Sequence, residues 1–300
     1  MNLAQIEAMV AVVDYGSFTA AADVLRISQP SLSRRIRSLE ADLGTEIFEP
    51  VGRSMLLTDT GKGLLGPARR MLREATALEA AASSSRELVR GSLRVAGLPS
   101  LVSTVVPGYV GRFHRLHPGI RLEVIGVEDT AELLESVRLA RADAAFGEVG
   151  RMPDDLAFDS LGDQAFMAVL PGSVSAEPHP RVVDAAVLAS HSLVTLPRGT
   201  SIRAVADSVY SALGVRPLDV VTTTQRDSLV LLSMHGAGLS IVPEALARQA
   251  ATLGARIAPF PMPVNRPIGV IYRRGERLAP ALTRFLELTA ERDGGVPAGE

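Results

Sequence analysis

The chain has 300 residues, with 31 Lys+Arg against 33 Asp+Glu, a formal net charge of −2 and a pI near 6.3. That balance excludes a polybasic protein that coats nucleic acid, but leaves room for a local basic patch. Cysteine and tryptophan are absent, which excludes disulfides, zinc–thiolate and iron–sulfur sites and thiol redox sensing, and argues against aromatic stacking of single strands.

At roughly 100–200 residues per domain the length suggests about two domains. Met1-Asn2-Leu3-Ala4-Gln5-Ile6-Glu7 lacks the basic and apolar regions of a signal peptide. No apolar run approaches the ~18–20 residues that span a bilayer, so a cytoplasmic protein without a membrane partner is expected.

Residues Leu3–Asp14 place Leu3, Ile6, Met9, Val10 and Val13 at helical spacing, and Gly16 stops that helix. Ser17 is a candidate N-cap for a short second helix, Phe18–Leu25, and Arg26-Ile27 forms a tight turn. Ser28 caps a third helix with Pro30 in its first turn, and Gly44 ends it. On that helix Leu32, Ile36, Leu39 and Leu43 form one apolar stripe. Pro30, Ser33, Arg34 and Arg37 fall on the opposite face, with Gln29 at the tip. Between Val24 and Leu39 stand Arg26, Arg34, Arg35 and Arg37 and no acid. Arginine can bridge guanine or phosphate, glutamine can pair with adenine, and serine permits close approach, so this face suits a major groove. Two helices joined by a tight turn form a helix-turn-helix. The alternative is the solvated face of an ordinary bundle.

Glu46–Leu57 resembles a two-stranded wing with Arg53 at its tip, where it either reaches a phosphate or the minor groove or stands as a loop arginine in solvent. Thr58 or Thr60 then caps a long helix. Leu64, Ala68, Met71, Ala75, Leu78 and Ala82 make a heptad seam that could pair two chains. Pro67 interrupts it and should kink it. Packing on its own chain is the alternative for this helix. Ser83-Ser84-Ser85 is a hinge candidate, and Asp293 to Glu300 is a tail expected to fray.

From about residue 89 the pattern alternates between strand and helix. Strand-like runs are Leu93–Gly97, Arg121–Gly126, Ala144–Phe146, Phe166–Leu170, Leu193–Leu196, Val220–Thr224, Leu239–Val242 and Ile268–Tyr272. Helical stretches include Leu101–His117, Ala131–Ala140, Ser201–Leu213, Asp227–His235 and Ala279–Arg292. His114 and His117 approach metal-ligand spacing but lack partner ligands, so no metal site or cofactor is expected. No HExxH, P-loop or GxSxG motif is present, and Gly236-Ala237-Gly238 lacks the third glycine of a dinucleotide fingerprint. No enzymatic activity is expected.

Residues 1–63 resemble the N-terminal region of LysR-type transcriptional regulators. The run is Gly16-Ser17-Phe18-Thr19-Ala20-Ala21-Ala22, Leu25, Ser28-Gln29-Pro30-Ser31-Leu32-Ser33, Ile36, Leu39-Glu40, Leu43-Gly44, Phe48, Arg53, Leu57-Thr58 and Gly61. The resemblance implies an α/β protein with a winged helix-turn-helix (1–58), a linker and dimerisation helix (59–88), and an effector domain like a periplasmic binding protein (89–300). That domain would have two α/β lobes, about 89–162 with 267–300 and about 163–266. It implies a homodimer or homotetramer on a double-stranded DNA operator, modulated by a small-molecule effector. Gln29, Pro30, Ser33 and Arg34 match operator-contacting positions, and Arg53 matches a wing position. Pro50 stands where the family usually carries an arginine.

Ligands of such lobes bind in the cleft between them, at loops and helix N-termini. Ser100 and Ser103 on one side, and Thr200 and Ser201 on the other, are the candidate effector contacts, with Phe146 and Thr224 lining the same cleft. A plain N-cap is the alternative role of each Ser and Thr. The expected effector is a small organic acid. Two other readings remain: a solute-binding or enzymatic α/β protein with an incidental helical N-terminus, and a DNA-binding protein whose second domain only oligomerises.

Overall fold

A computed structural model describes residues 1–51, 54–83, 91–148, 152–172, 180–275 and 278–291. Helix α1 (Leu3–Tyr15) opens with a capping box, in which Asn2 accepts from the Gln5 N–H and the Gln5 side chain accepts from the Asn2 N–H. Gly16 ends it in the left-handed conformation. Ser17 caps α2 (Phe18–Val24) through the Ala20 N–H.

The turn after α2 is a Schellman motif. The Ile27 N–H donates to the Ala22 carbonyl at 3.0 Å and the Arg26 N–H to the Asp23 carbonyl at 3.1 Å. Arg26 takes the left-handed position that glycine usually fills, at φ 54°, a strain of roughly 1–2 kcal/mol. Ser28 then accepts from the Ser31 N–H and starts α3 (Gln29–Leu43), which Gly44 ends. Leu32, Ile36 and Leu39 are buried, whereas Leu43, assigned to the same stripe, is exposed. The last turn of α3 runs past the core that the first three helices share.

Strands β1 (Phe48–Val51) and β2 (Ser54–Leu57) pair antiparallel, Phe48 opposite Leu57. The Glu40 carboxylate accepts from the N–H groups of Ile47 and Phe48 at 2.9 and 3.2 Å, so α3 anchors the root of this hairpin. Of the two threonines before α4 (Asp59–Ser83), Thr58 is the cap. Its hydroxyl accepts from the Gly61 N–H and donates to the Glu46 carbonyl, each at 2.9 Å. A Cβ on Gly61 would collide with the Ile47 carbonyl, so the close contact between hairpin and helix requires glycine.

The heptad seam of α4 does not behave as one surface. Leu65 and Ala68 belong to the same core as α1–α3, and the helix continues through an exposed Pro67. Further along, Met71 and Leu78 are exposed at 41% and 72%. The first turns are therefore covered by their own chain, whereas among the described residues Met71 and Leu78 are left open. Arg69 of α4 pairs with Asp14 of α1. Residues Ser84, Ser85 and 293–300 lie outside the described residues.

Strand β3 (Gly91–Gly97) lies between β4 (Ile120–Gly126) and β5 (Ala144–Glu148), parallel to both. Between β3 and β4 the expected single helix is two, α5 (Pro99–Thr104) and α6 (Val106–Leu116), broken at Val105. Pro107 at the start of the second supplies the break, because its ring and missing N–H interrupt a continuous helix. Helix α7 (Thr130–Arg138) follows β4.

Strand β6 (Leu156–Leu170) is three times the length expected from Phe166–Leu170. Its first part pairs with β11 (Asn265–Arg273), and its last residues pair with β9 (Leu239–Pro243) and β10 (Arg256–Ala258). Sequence patterning missed β10 and the exposed first half of β6, where apolar alternation is weak. Strand β7 (Leu193–Thr195) joins β9 and β8 (Val220–Thr222). The resulting order, β4-β3-β5-β11-β6-β9-β7-β8, forms two α/β lobes that share β6 and β11 as their crossings. Gly162 at φ +97° and a register shift beside Gly269 mark the bend of those two strands. One lobe is closed by α12 (Pro280–Ala290), the other by α8 (Ala185–Ser190), α9 (Ser201–Ala212), α10 (Ser228–Met234) and α11 (Glu244–Thr252). Each lobe has its own hydrophobic clusters.

Candidate functional site

Two sites follow from this arrangement. The first is the outer face of α3. Its apolar side is spent on the core, so the other side must face solvent. Gln29, Pro30, Arg34 and Arg37 are exposed there, and Ser33 is half-buried. The Arg37 Nε donates to the Ser33 carbonyl at 3.4 Å, holding its guanidinium along the helix. Arg34 is exposed on the same face. The N-terminus of α3 sits beside Gln29, and the helix dipole adds positive potential there. The face offers donors to an anionic, groove-shaped partner. Arg53 lies outside the described residues.

The second site lies where the lobes share β6 and β11. Arg266 on β11 is 5% exposed and is its hub. Its Nη2 donates to the Ser100 hydroxyl of α5 at 2.9 Å and to Gln164 Oε1 of β6 at 2.5 Å. Its Nη1 meets Glu148 of β5 at 3.5 Å, and the Phe166 ring lies 5.4 Å beneath the guanidinium. Gln164 donates to Thr104 at 3.0 Å, which in turn donates to the Ser100 carbonyl at 2.6 Å. Nearby, Arg226 of one lobe bridges to Glu128 of the other at 2.9 Å.

Burial pushes the Arg266 guanidinium below the ordinary arginine value, the Glu148 carboxylate opposes this, and the Arg226 charge adds to it. Among the described residues, Arg266 Nε, Arg226 Nη1, Ser201 Oγ and Thr195 Oγ1 are buried without a hydrogen-bond partner. Unfilled buried donors are costly and mark places where a ligand or water completes the bonding. The Ser100 hydroxyl accepts from Arg266 and so retains its own proton to give.

The candidate effector residues separate in this light. Ser100 is buried in the Arg266 network, inside α5 rather than capping it. Ser103 is exposed and donates to the Pro99 carbonyl at 2.9 Å. Thr200 precedes α9 but does not cap it, since its hydroxyl donates to the Pro197 carbonyl at 2.8 Å. Ser201 keeps an unfilled hydroxyl, and Thr224 is exposed. Phe146 does not line a cleft. It is fully buried, with its ring against Tyr109 and Phe285, because β5 is central to its lobe. Sequence patterning missed Arg266, Arg226, Gln164 and Glu148. The available signal was a lone arginine inside the apolar run from Val264 to Tyr272. Among the described residues no cluster of three or more His, Asp or Glu could hold a metal, and no helix is long and apolar enough to cross a membrane.

Comparison with known proteins gives two family matches. Residues 3–62 match the bacterial regulatory helix-turn-helix protein model of the lysR family. Residues 86–294 match the LysR substrate binding domain. A RuBisCO operon transcriptional regulator of Allochromatium vinosum is 27% identical over 96% of this chain and 95% of its own. A probable hydrogen peroxide-inducible genes activator of Mycobacterium avium is 31% identical over 91% of this chain and 88% of its own. Among solved structures, a full-length OxyR variant from Pseudomonas aeruginosa superposes with a TM-score of 0.71, at 22% identity, over 97% of this chain and 93% of its own.

Proposed function

This chain belongs to the LysR family of DNA-binding transcriptional regulators, and from that premise we propose that it answers to a small organic acid held between its lobes. It is a regulator with an effector-binding domain, not an enzyme. The observation that carries the organic-acid reading is the buried Arg266, with Nε unfilled and the Ser100 hydroxyl beside it. A carboxylate would supply the acceptor that Nε lacks and add a second negative charge to that of Glu148. Arg226 and Ser201, each with an unfilled buried atom, supply further donors from the second lobe.

Relatives of this chain include proteins named for peroxide response. With no cysteine, this chain has no thiol for peroxide to oxidise, which favours a reversibly bound effector. The effector would shift the equilibrium between lobe arrangements by binding one better than the other. The α3 face, through Gln29, Pro30, Ser33, Arg34 and Arg37, with Arg53 of the wing, would read the operator in the cytoplasm. Pairing through the exposed half of α4, as a dimer or tetramer, would set the spacing of two half-sites.

Thermal midpoints of the purified protein against a library of organic acids and their amides test this. Saturable stabilisation by carboxylates, lost in Arg266→Met, is expected. Stabilisation by uncharged compounds alone overturns it.

A further inference from the structure

A cavity of about 510 Å³, with no lining residue from β6 or β11, lies where α1 and α4 meet the edge of the first lobe. Its walls carry four guanidinium groups, those of Arg69, Arg94, Arg121 and Arg141, and two carboxylates, those of Asp14 and Glu123. So dense a group of cations repels itself unless something anionic sits among them. The two carboxylates are already engaged. Asp14 pairs with Arg69 through Nη2, and Glu123 pairs with Arg94 at 3.1 Å.

What remains is unsatisfied. Arg69 is 4% exposed, and its Nε and Nη1 have no partner among the described residues. Arg141 Nε is likewise buried and unpartnered. Arg121 projects from β4, the edge strand, and is exposed. Burial drives the Arg69 guanidinium below its usual value despite Asp14, and Arg141 and Arg94 push it the same way.

We propose that this cavity binds a doubly charged tetrahedral oxyanion, a phosphoryl group, between Arg69, Arg141 and Arg121. Several N–H donors from separate elements match the three or four oxygens of a phosphoryl group better than the two of a single carboxylate. The volume exceeds that of inorganic phosphate, so a phosphorylated metabolite also fits. The walls come from α1 and α4 on one side and from β3, β4 and the turn after α7 on the other. An occupant therefore braces the helix-turn-helix unit against the first lobe, and its binding should be felt by whatever the helix-turn-helix unit holds.

Calorimetric titration of the full chain with inorganic phosphate, against chloride at equal ionic strength, tests the site. One saturable event per chain is expected, weakened about tenfold or more in Arg141→Gln and in Arg121→Gln. Arg121 is exposed, so its variant decides the matter if Arg141→Gln does not fold. Ser100→Ala should leave phosphate binding unchanged, which separates this site from the effector reading. No saturable event, binding by both arginine variants as tight as that of the unaltered chain, or binding of malonate but not phosphate overturns the proposal.

Discussion

Ser100 and Ser103 look alike in the sequence, three residues apart beside one helix start, yet the structure gives them opposite roles. Ser100 accepts from the buried guanidinium of Arg266 at 2.9 Å. Ser103 is exposed and donates to a carbonyl of its own helix. Removing the Ser100 hydroxyl strips a charge-assisted bond from a buried cation that already has one unfilled N–H. Bonds of this kind contribute about 1.5–3 kcal/mol, or roughly 3–12 °C in the melting temperature of a domain of about 150–250 residues. Ser103→Ala, a surface change, should stay within about 0.5 kcal/mol. Thermal and urea unfolding followed by far-UV circular dichroism compares the two variants. In the presence of a stabilising carboxylate, Ser100→Ala should also weaken binding about tenfold, since its hydroxyl proton would no longer reach the ligand. Equal losses in both variants, or a neutral Ser100→Ala, would refute the reasoning.

Three further outcomes are expected. Arg34→Ala should reduce affinity for the operator by about 5- to 150-fold, the value of one good base contact, with oligomeric state unchanged; anisotropy with labelled upstream DNA measures it, and unaltered affinity counts against α3 as the reader. Leu78→Glu, at an exposed seam position, should shift sedimentation to a smaller species while the melting temperature of the separated chain holds. Burial pushes the Tyr210 hydroxyl up to about 12. The unfolded chain ionises near pH 10, so it releases its proton first as pH rises. The stabilisation from keeping this tyrosine neutral is thus full below about pH 10 and is lost progressively towards pH 12, by about 1.4 kcal/mol per unit. Tyr210→Phe should flatten that limb in urea titrations against pH, and an unchanged slope would exclude Tyr210 as its source.

Much of the molecule was written in local signals. Gly16, Ser17, Ser28, Pro30 and Gly44 fixed the first three helices because caps and left-handed glycines act within a few residues of chain. The absence of cysteine settled which chemistries were closed before any fold was known. Alternating apolar runs disclosed the central strands of both lobes, since buried strands must be apolar. Arg26 shows where such signals stop, as its left-handed turn is enforced by the helices on either side rather than by a glycine.

Only tertiary structure decided which polar groups meet. Ser100 and Gln164 reach Arg266 across 166 and 102 residues of chain, because β6 and β11 cross between the lobes side by side. Separation along the chain likewise hid the arginine cavity, whose cations come from α4, β3, β4 and the turn after α7. Phe146 illustrates the converse: the two-lobe arrangement suggested a place in the cleft, and the packing of β5 put it in the core. Composition and periodicity report what each segment buries. Where a buried charge finds its partners, and where it is left without one, depends on the path of the whole chain.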